Sequence, residues 1–169
     1  MQRLFALNDP ERGITVNVGT IDGGLRANVI APEASARLDV RVPTAEDAVR
    51  VERAIRGLEP HAPGVTIRVE GGFGRPAMEA TPRNRRLWER ARAHAADLGI
   101  TLAEAAVGGA SDGNTTSLHT ATLDGLGAVG DGAHASHEQI RIPAMAERAA
   151  LLALLLLEPD GRDGDGTRP

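Results

Sequence analysis

Nine residues alternate without a break: Ala34, Ala36, Leu38, Val40 and Val42 are apolar, and Ser35, Arg37, Asp39 and Arg41 between them are polar. Successive side chains of a strand point to opposite faces, so this spacing predicts a strand with one buried and one solvated face. Strands of that kind belong to antiparallel sheets, since parallel sheets are covered on both sides. Ile14, Val16 and Val18, alternating with Thr15 and Asn17, predict a second strand; Val65, Ile67 and Val69, alternating with Thr66 and Arg68, predict a third. Residues 19–32, rich in glycine and closed by Pro32, read as an irregular surface connection able to carry function. Thr44 followed by Asp47 resembles a capping box, and Ala48, Val51, Ile55 and Leu58 then recur at helical spacing until Gly57 and Pro60. Strand, strand, helix, strand is an incomplete βαββαβ unit, an α+β layer whose open edge favours self-association.

The second half reads differently. Thr81-Pro82 starts a helix with the stripe Leu87, Ala91, Ala95 and Leu98, closed by Gly99. Strands are expected over residues 101–107 and 126–129, each running into a glycine-rich loop, 108–116 and 130–134. A last helix with Pro143 in its first turn is apolar nearly all round to Leu157, as a helix buried in a larger body is, and residues 158–169 read as a disordered tail. Helix, strand, loop, strand, loop, helix is an α/β layer, in which functional groups gather at the carboxyl ends of strands.

Composition removes several functions. All 19 basic residues are arginine and the net charge is -4, so the chain lacks the basic field of a nucleic-acid binder. With no cysteine, any metal must be held by nitrogen and oxygen, and no disulfide or cysteine nucleophile exists. The leucine run from Leu151 to Leu157 is too short to span a bilayer and residues 1–10 do not resemble a signal peptide, so membrane association is not expected and a cytoplasmic location is.

The two glycine loops and one strand hold the candidate site. His134 and His137, with Glu138, can ligate zinc or hold an imidazole in its tautomer through a carboxylate; two solvated histidines on a polar loop fit the same pattern. The run Gly108-Gly-Ala-Ser-Asp-Gly113 can present backbone N–H groups to an anion, or serve only as a tight strand-to-helix turn; it lacks a phosphate-loop lysine, and no nucleophile elbow surrounds Ser111. Arg41, on the polar face of its strand, can clamp a carboxylate in bidentate fashion or remain solvated.

In order and spacing these pieces resemble the M20 metallopeptidase and amidohydrolase family, which includes carboxypeptidases, aminoacylases and deacylases. The residues that carry the resemblance are 20–32 with Asn28 and Pro32, Leu38-Asp-Val-Arg41, Gly74-Arg-Pro76, Gly108-Gly-Ala-Ser-Asp112, and Gly130-Asp-Gly-Ala-His134 with Glu138. The resemblance implies a partial lid and dimerisation domain over residues 1–78, an antiparallel sheet with a helix. The C-terminal part of an α/β zinc hydrolase domain would follow over residues 79–157.

The family binds two zinc ions and works on N-acyl amino acids or small peptides, commonly as a homodimer. By resemblance His134 is a metal ligand, while Asn28, Arg41 and Ala110 bind substrate, the first two often across the dimer. His137 receives no role. The family's remaining zinc ligands and its general base match nothing here, so the expectation is a truncation, a proteolytic product or one piece of a split protein, inactive alone. A non-catalytic dimerisation or interaction module derived from the lid is the alternative.

Overall fold

The computed structural model describes residues 1–157; the segment 158–169, expected to be a disordered tail, lies outside the described residues. In chain order the elements are α1 (Gln2–Phe5), β1 (Thr15–Gly23), β2 (Ala34–Arg41), α2 (Ala45–Arg56), α3 (Pro82–Asp97), α4 (Gly113–Thr116), β3 (Gly130–Asp131), β4 (Gln139–Ile140) and α5 (Ile142–Leu157). They fall into two compact units. Among the described residues, one comprises 1–79 together with 106–118, the other 80–105 and 119–157.

In the first unit β1 and β2 pair antiparallel, Val16 opposite Val40 and Val18 opposite Leu38. The expected irregular connection is shorter than its glycines imply, because the ladder continues to Gly23 opposite Ala34. A bulge between Val18 and Thr20 inserts one residue, after which Ile21 rather than Thr20 falls opposite an alanine, Ala36. The inserted residue resets the alternation, which is why the sequence pattern stops at Val18. Ile14, Val16, Val51 and Ile55 form the core with Leu4, and Leu38, Val40, Val42, Leu58 and Val69 pack around it.

Helix α2 is held at its start by one carboxylate. Thr44 caps it, accepting from the Asp47 N–H at 3.1 Å and donating its hydroxyl to Asp47 Oδ2 at 2.9 Å. Asp47 is 1% exposed. Its Oδ1 takes Arg12 Nη2 at 2.8 Å and Arg50 Nη2 at 3.2 Å. Arg12 sits on a tight turn closed by the Asp9 and Ile14 backbones, which exchange hydrogen bonds of 3.0 and 2.9 Å. Glu79 Oε1 accepts from the Ala45 N–H at 2.8 Å, satisfying another amide of the first turn. At the outer edge of β1 the Asn8 side chain stands in for a neighbouring strand: its Oδ1 accepts from the Val16 N–H at 2.9 Å and its Nδ2 donates to the Val16 carbonyl at 3.1 Å.

The expected third strand, residues 65–69, forms no ladder, and neither do residues 101–107 or 126–129. Alternation specifies which face is apolar but not a partner, and a strand exists only where another backbone lies alongside it. Val69 still reaches the core, whereas Val65 and Ile67 are exposed. The mixed helix-and-sheet class is what the described residues form, with both sheets antiparallel and two-stranded.

In the second unit α3 packs on α5. Thr81 caps α3 with Pro82 at its first position, and the buried residues are Ala91 and Ala95 on α3 and Ala144 and Leu151 on α5. Asn84, also buried, accepts from the Thr122 N–H at 3.0 Å. The all-round burial expected of α5 is not found: Ile142, Met145, Leu152, Leu156 and Leu157 are exposed.

Two outcomes are expected. Burial alone would push the Asp47 carboxyl up, but the hydrogen bonds from Thr44 and Arg50 and the charges of Arg12 and Arg50 outweigh it and hold the group below its ordinary value. A carboxyl so depressed contributes stability that is complete above its unfolded value and is lost as pH falls through the folded one. Denaturant midpoints measured against pH should fall on the acid side in the native protein and fall less in Asp47→Asn. Ile14→Ala, at a fully buried position, should cost about 2–5 kcal/mol in the same measurement.

Candidate functional site

Arg41 ends β2 opposite Thr15, and its guanidinium is oriented by its own strand: Nε donates to Asp39 Oδ2 at 2.9 Å. Both side chains are about half exposed, so the pair contributes little to stability, and its effect is to leave the two Nη groups as the free end of the fork. The same side chain lies across Gly108. A Cβ added there would stand 2.8 Å from Arg41 Cδ and 3.1 Å from Nη1. The first glycine of the Gly-Gly-Ala-Ser-Asp-Gly run is therefore the residue that lets Arg41 cross the loop, and it brings the strand's candidate against the loop that holds Ala110.

The loop itself is braced from within. Ser111 N–H donates to Asn114 Oδ1 at 2.8 Å, and Gly113 N–H to Ser111 Oγ at 2.9 Å. Asn114 Nδ2 also donates to the Pro76 carbonyl at 2.9 Å, tying the loop to the Gly-Arg-Pro segment. The amides of Ser111 and Gly113 are thus engaged within the loop, and Arg41 lies against its Gly108 end. This narrows the cradle read from the sequence. Ser111 Oγ thus braces the loop.

Asn28 is not brought to this place. It sits in the turn closed by the Val29 N–H to the Arg26 carbonyl at 3.1 Å, beyond the paired end of the hairpin at Gly23 and Ala34. Arg41 is at the other end of β2, seven residues along, roughly 23 Å at the usual rise of a strand.

His134 lies in the second unit, on the turn between β3 and β4, where Gly130 faces Ile140 and Asp131 faces Gln139. Among the described residues it is the one non-glycine in the left-handed region, at φ 66°. Such a backbone costs on the order of 1–3 kcal/mol and collects at functional sites. Its side chain is exposed. Among the described residues no three His, Asp, Glu or Cys side chains converge on a point where they could share a metal ion. A structural or catalytic zinc takes three or four protein ligands, so these residues by themselves do not fit one.

Residues 1–63 match the M20 peptidase dimerisation domain. A peptidase M20 domain-containing protein of Sordaria macrospora is 43% identical over 67 residues, which cover 36% of this chain and 14% of that relative. The hairpin, its helix and Arg41 at the end of β2 thus lie within the matched stretch. Both likenesses are to the M20 peptidase family, and each covers well under half of this chain. The matched stretch is about a seventh of the relative's length. Among the described residues no helix is long and apolar enough to cross a membrane.

Sequence spacing gave no means of finding the Arg41–Gly108 contact, since the two residues are far apart in the chain. The close approach predicts its own test. Gly108→Ala should turn the Arg41 side chain off the loop in a crystal structure of the variant. Because the colliding atoms are the far end of a flexible, half-exposed side chain, stability should change by only about 0.5 kcal/mol.

Proposed function

We propose that the complete protein is a zinc-dependent hydrolase of amide bonds, acting on N-acyl amino acids or small peptides as a homodimer. Within it residues 1–78 serve as the partial lid and dimerisation domain, and residues 79–157 as the end of the catalytic domain. The observation that carries this reading is the match of residues 1–63 to a peptidase dimerisation domain. The geometry adds a division of labour. The free Nη end of Arg41 takes the substrate carboxylate end-on, and the Gly108–Ala110 backbone beside it presents N–H groups to the same anionic group. Asn28, at the far end of the hairpin, contributes to the partner subunit's site. His134 supplies one metal ligand, with the others coming from outside the described residues. Zinc, when bound, polarises the carbonyl and supplies the attacking oxygen nucleophile.

The lack of a converging ligand set among the described residues favours a second reading, in which the chain is a dimerisation or interaction module without catalysis. One set of measurements separates them. In the complete protein, His134→Ala should lose zinc by elemental analysis together with N-acyl amino acid hydrolysis. Arg41→Ala should raise KM for substrates bearing a free carboxylate far more than for their amides. A dimeric protein without amidase activity at any zinc concentration supports the module; full zinc and activity in His134→Ala overturn the assignment of that residue.

A further inference from the structure

The turn between β3 and β4 contains two left-handed residues, Gly132 at φ 73° and His134 at φ 66°. Glycine takes that conformation freely; a histidine takes it more readily than most side chains, but at a cost that glycine does not meet. Within the turn the Ala135 N–H donates to the Gly132 carbonyl at 2.8 Å, and the Glu138 N–H to the Ala135 carbonyl at 3.1 Å. The first bond closes a turn across His134, its third residue, where a left-handed backbone fits, and the second closes the turn that follows. Against Gly132, the first residue of the turn closed over His134, lies one edge of the otherwise exposed His137 ring. A Cβ added to Gly132 would stand 2.8 Å from His137 Cδ2 and 3.0 Å from Nε2. The imidazole edge thus occupies the space that a side chain at 132 would fill, and that space exists because 132 is glycine.

We propose that His137 is a positioning residue for His134: seated on the bare backbone of Gly132, its ring holds the turn in which His134 is left-handed. In this way it sets the direction in which the His134 imidazole leaves the hairpin. The proposal rests on the reading of His134 as a functional residue, and it gives a role to a histidine that the sequence leaves without one. The contact is made by the edge and shape of a flat ring. A ring of similar width at 137 therefore preserves it, and a methyl group does not. Without the ring, Gly132 is released to either sign of φ and His134 relaxes out of the left-handed region.

The test uses the complete protein. In crystal structures, His137→Ala should move φ of residue 134 to negative values, and His137→Phe should keep it positive. kcat/KM for amide hydrolysis should fall by about 10- to 100-fold in His137→Ala, the range of a lost supporting contact, and recover in His137→Phe. The thermal midpoint should stay constant across both. Gly132→Ala pushes on the ring from the other side, so its damage should be smaller in the His137→Ala background than in the native one. A left-handed His134 in His137→Ala overturns the proposal, as does failure of His137→Phe to restore the rate, or equal damage from Gly132→Ala in both backgrounds. Activity that survives His134→Ala removes the functional reading, and φ at 134 then still decides whether His137 holds the turn.

Discussion

The first unit depends on a carboxylate buried where a helix begins. Asp47 is nearly inaccessible, yet its oxygens meet the Thr44 hydroxyl and two guanidinium groups, one from its own helix and one from the turn before β1. A carboxylate at the third position of a helix also complements the partial positive charge of the exposed N–H groups there. One side chain therefore does three jobs: it fixes where α2 starts, fastens α2 to the turn that leads into β1, and sets how the helix lies over Val16 and Ile14. Arg41 lies at the end of β2, which is registered on β1, so its place on the sheet follows from that anchor while Asp39 orients its guanidinium.

The alternation over residues 34–42 and the Thr44 cap were legible because each is local: a strand's two faces and a helix's first turn are written in neighbouring residues. Val65, Ile67 and Val69 carry an equally clean alternation and form no strand, because pairing is a property of two segments and the sequence of one does not contain the other. The bulge at Gly19 was hidden for a related reason. One inserted residue preserves the apolar character of β1 but changes its phase, so an orderly strand looks irregular beyond Val18.

The candidate site was legible as residue types and less so as an arrangement. Arg41 and the loop of Ala110 were selected separately and the structure brings them together through Gly108, whereas Asn28 stands at the opposite end of the same hairpin. That separation has a geometric meaning. A two-stranded ribbon is a lever, and residues at its two ends cannot address one small ligand held by one copy of the chain. The left-handed backbone at His134 was hidden because histidine, although enriched at positive φ, takes it in only a small share of cases, so the residue type alone does not mark the turn.

Asn8 has a consequence for how sheets of this protein can meet. Its amide makes with Val16 the same two hydrogen bonds that a neighbouring strand would make, and the Asp9–Ile14 exchange does likewise one rung earlier. The outer edge of β1 is thus sealed at its beginning by the chain that leads into it. A foreign strand adding to that edge must either evict the amide or start beyond Val16, where the bulge between Val18 and Thr20 soon shifts the phase. The seal works as a register stop: it denies the start of the edge to indiscriminate, aggregation-type pairing and confines ordered addition to the part of the strand beyond Val16.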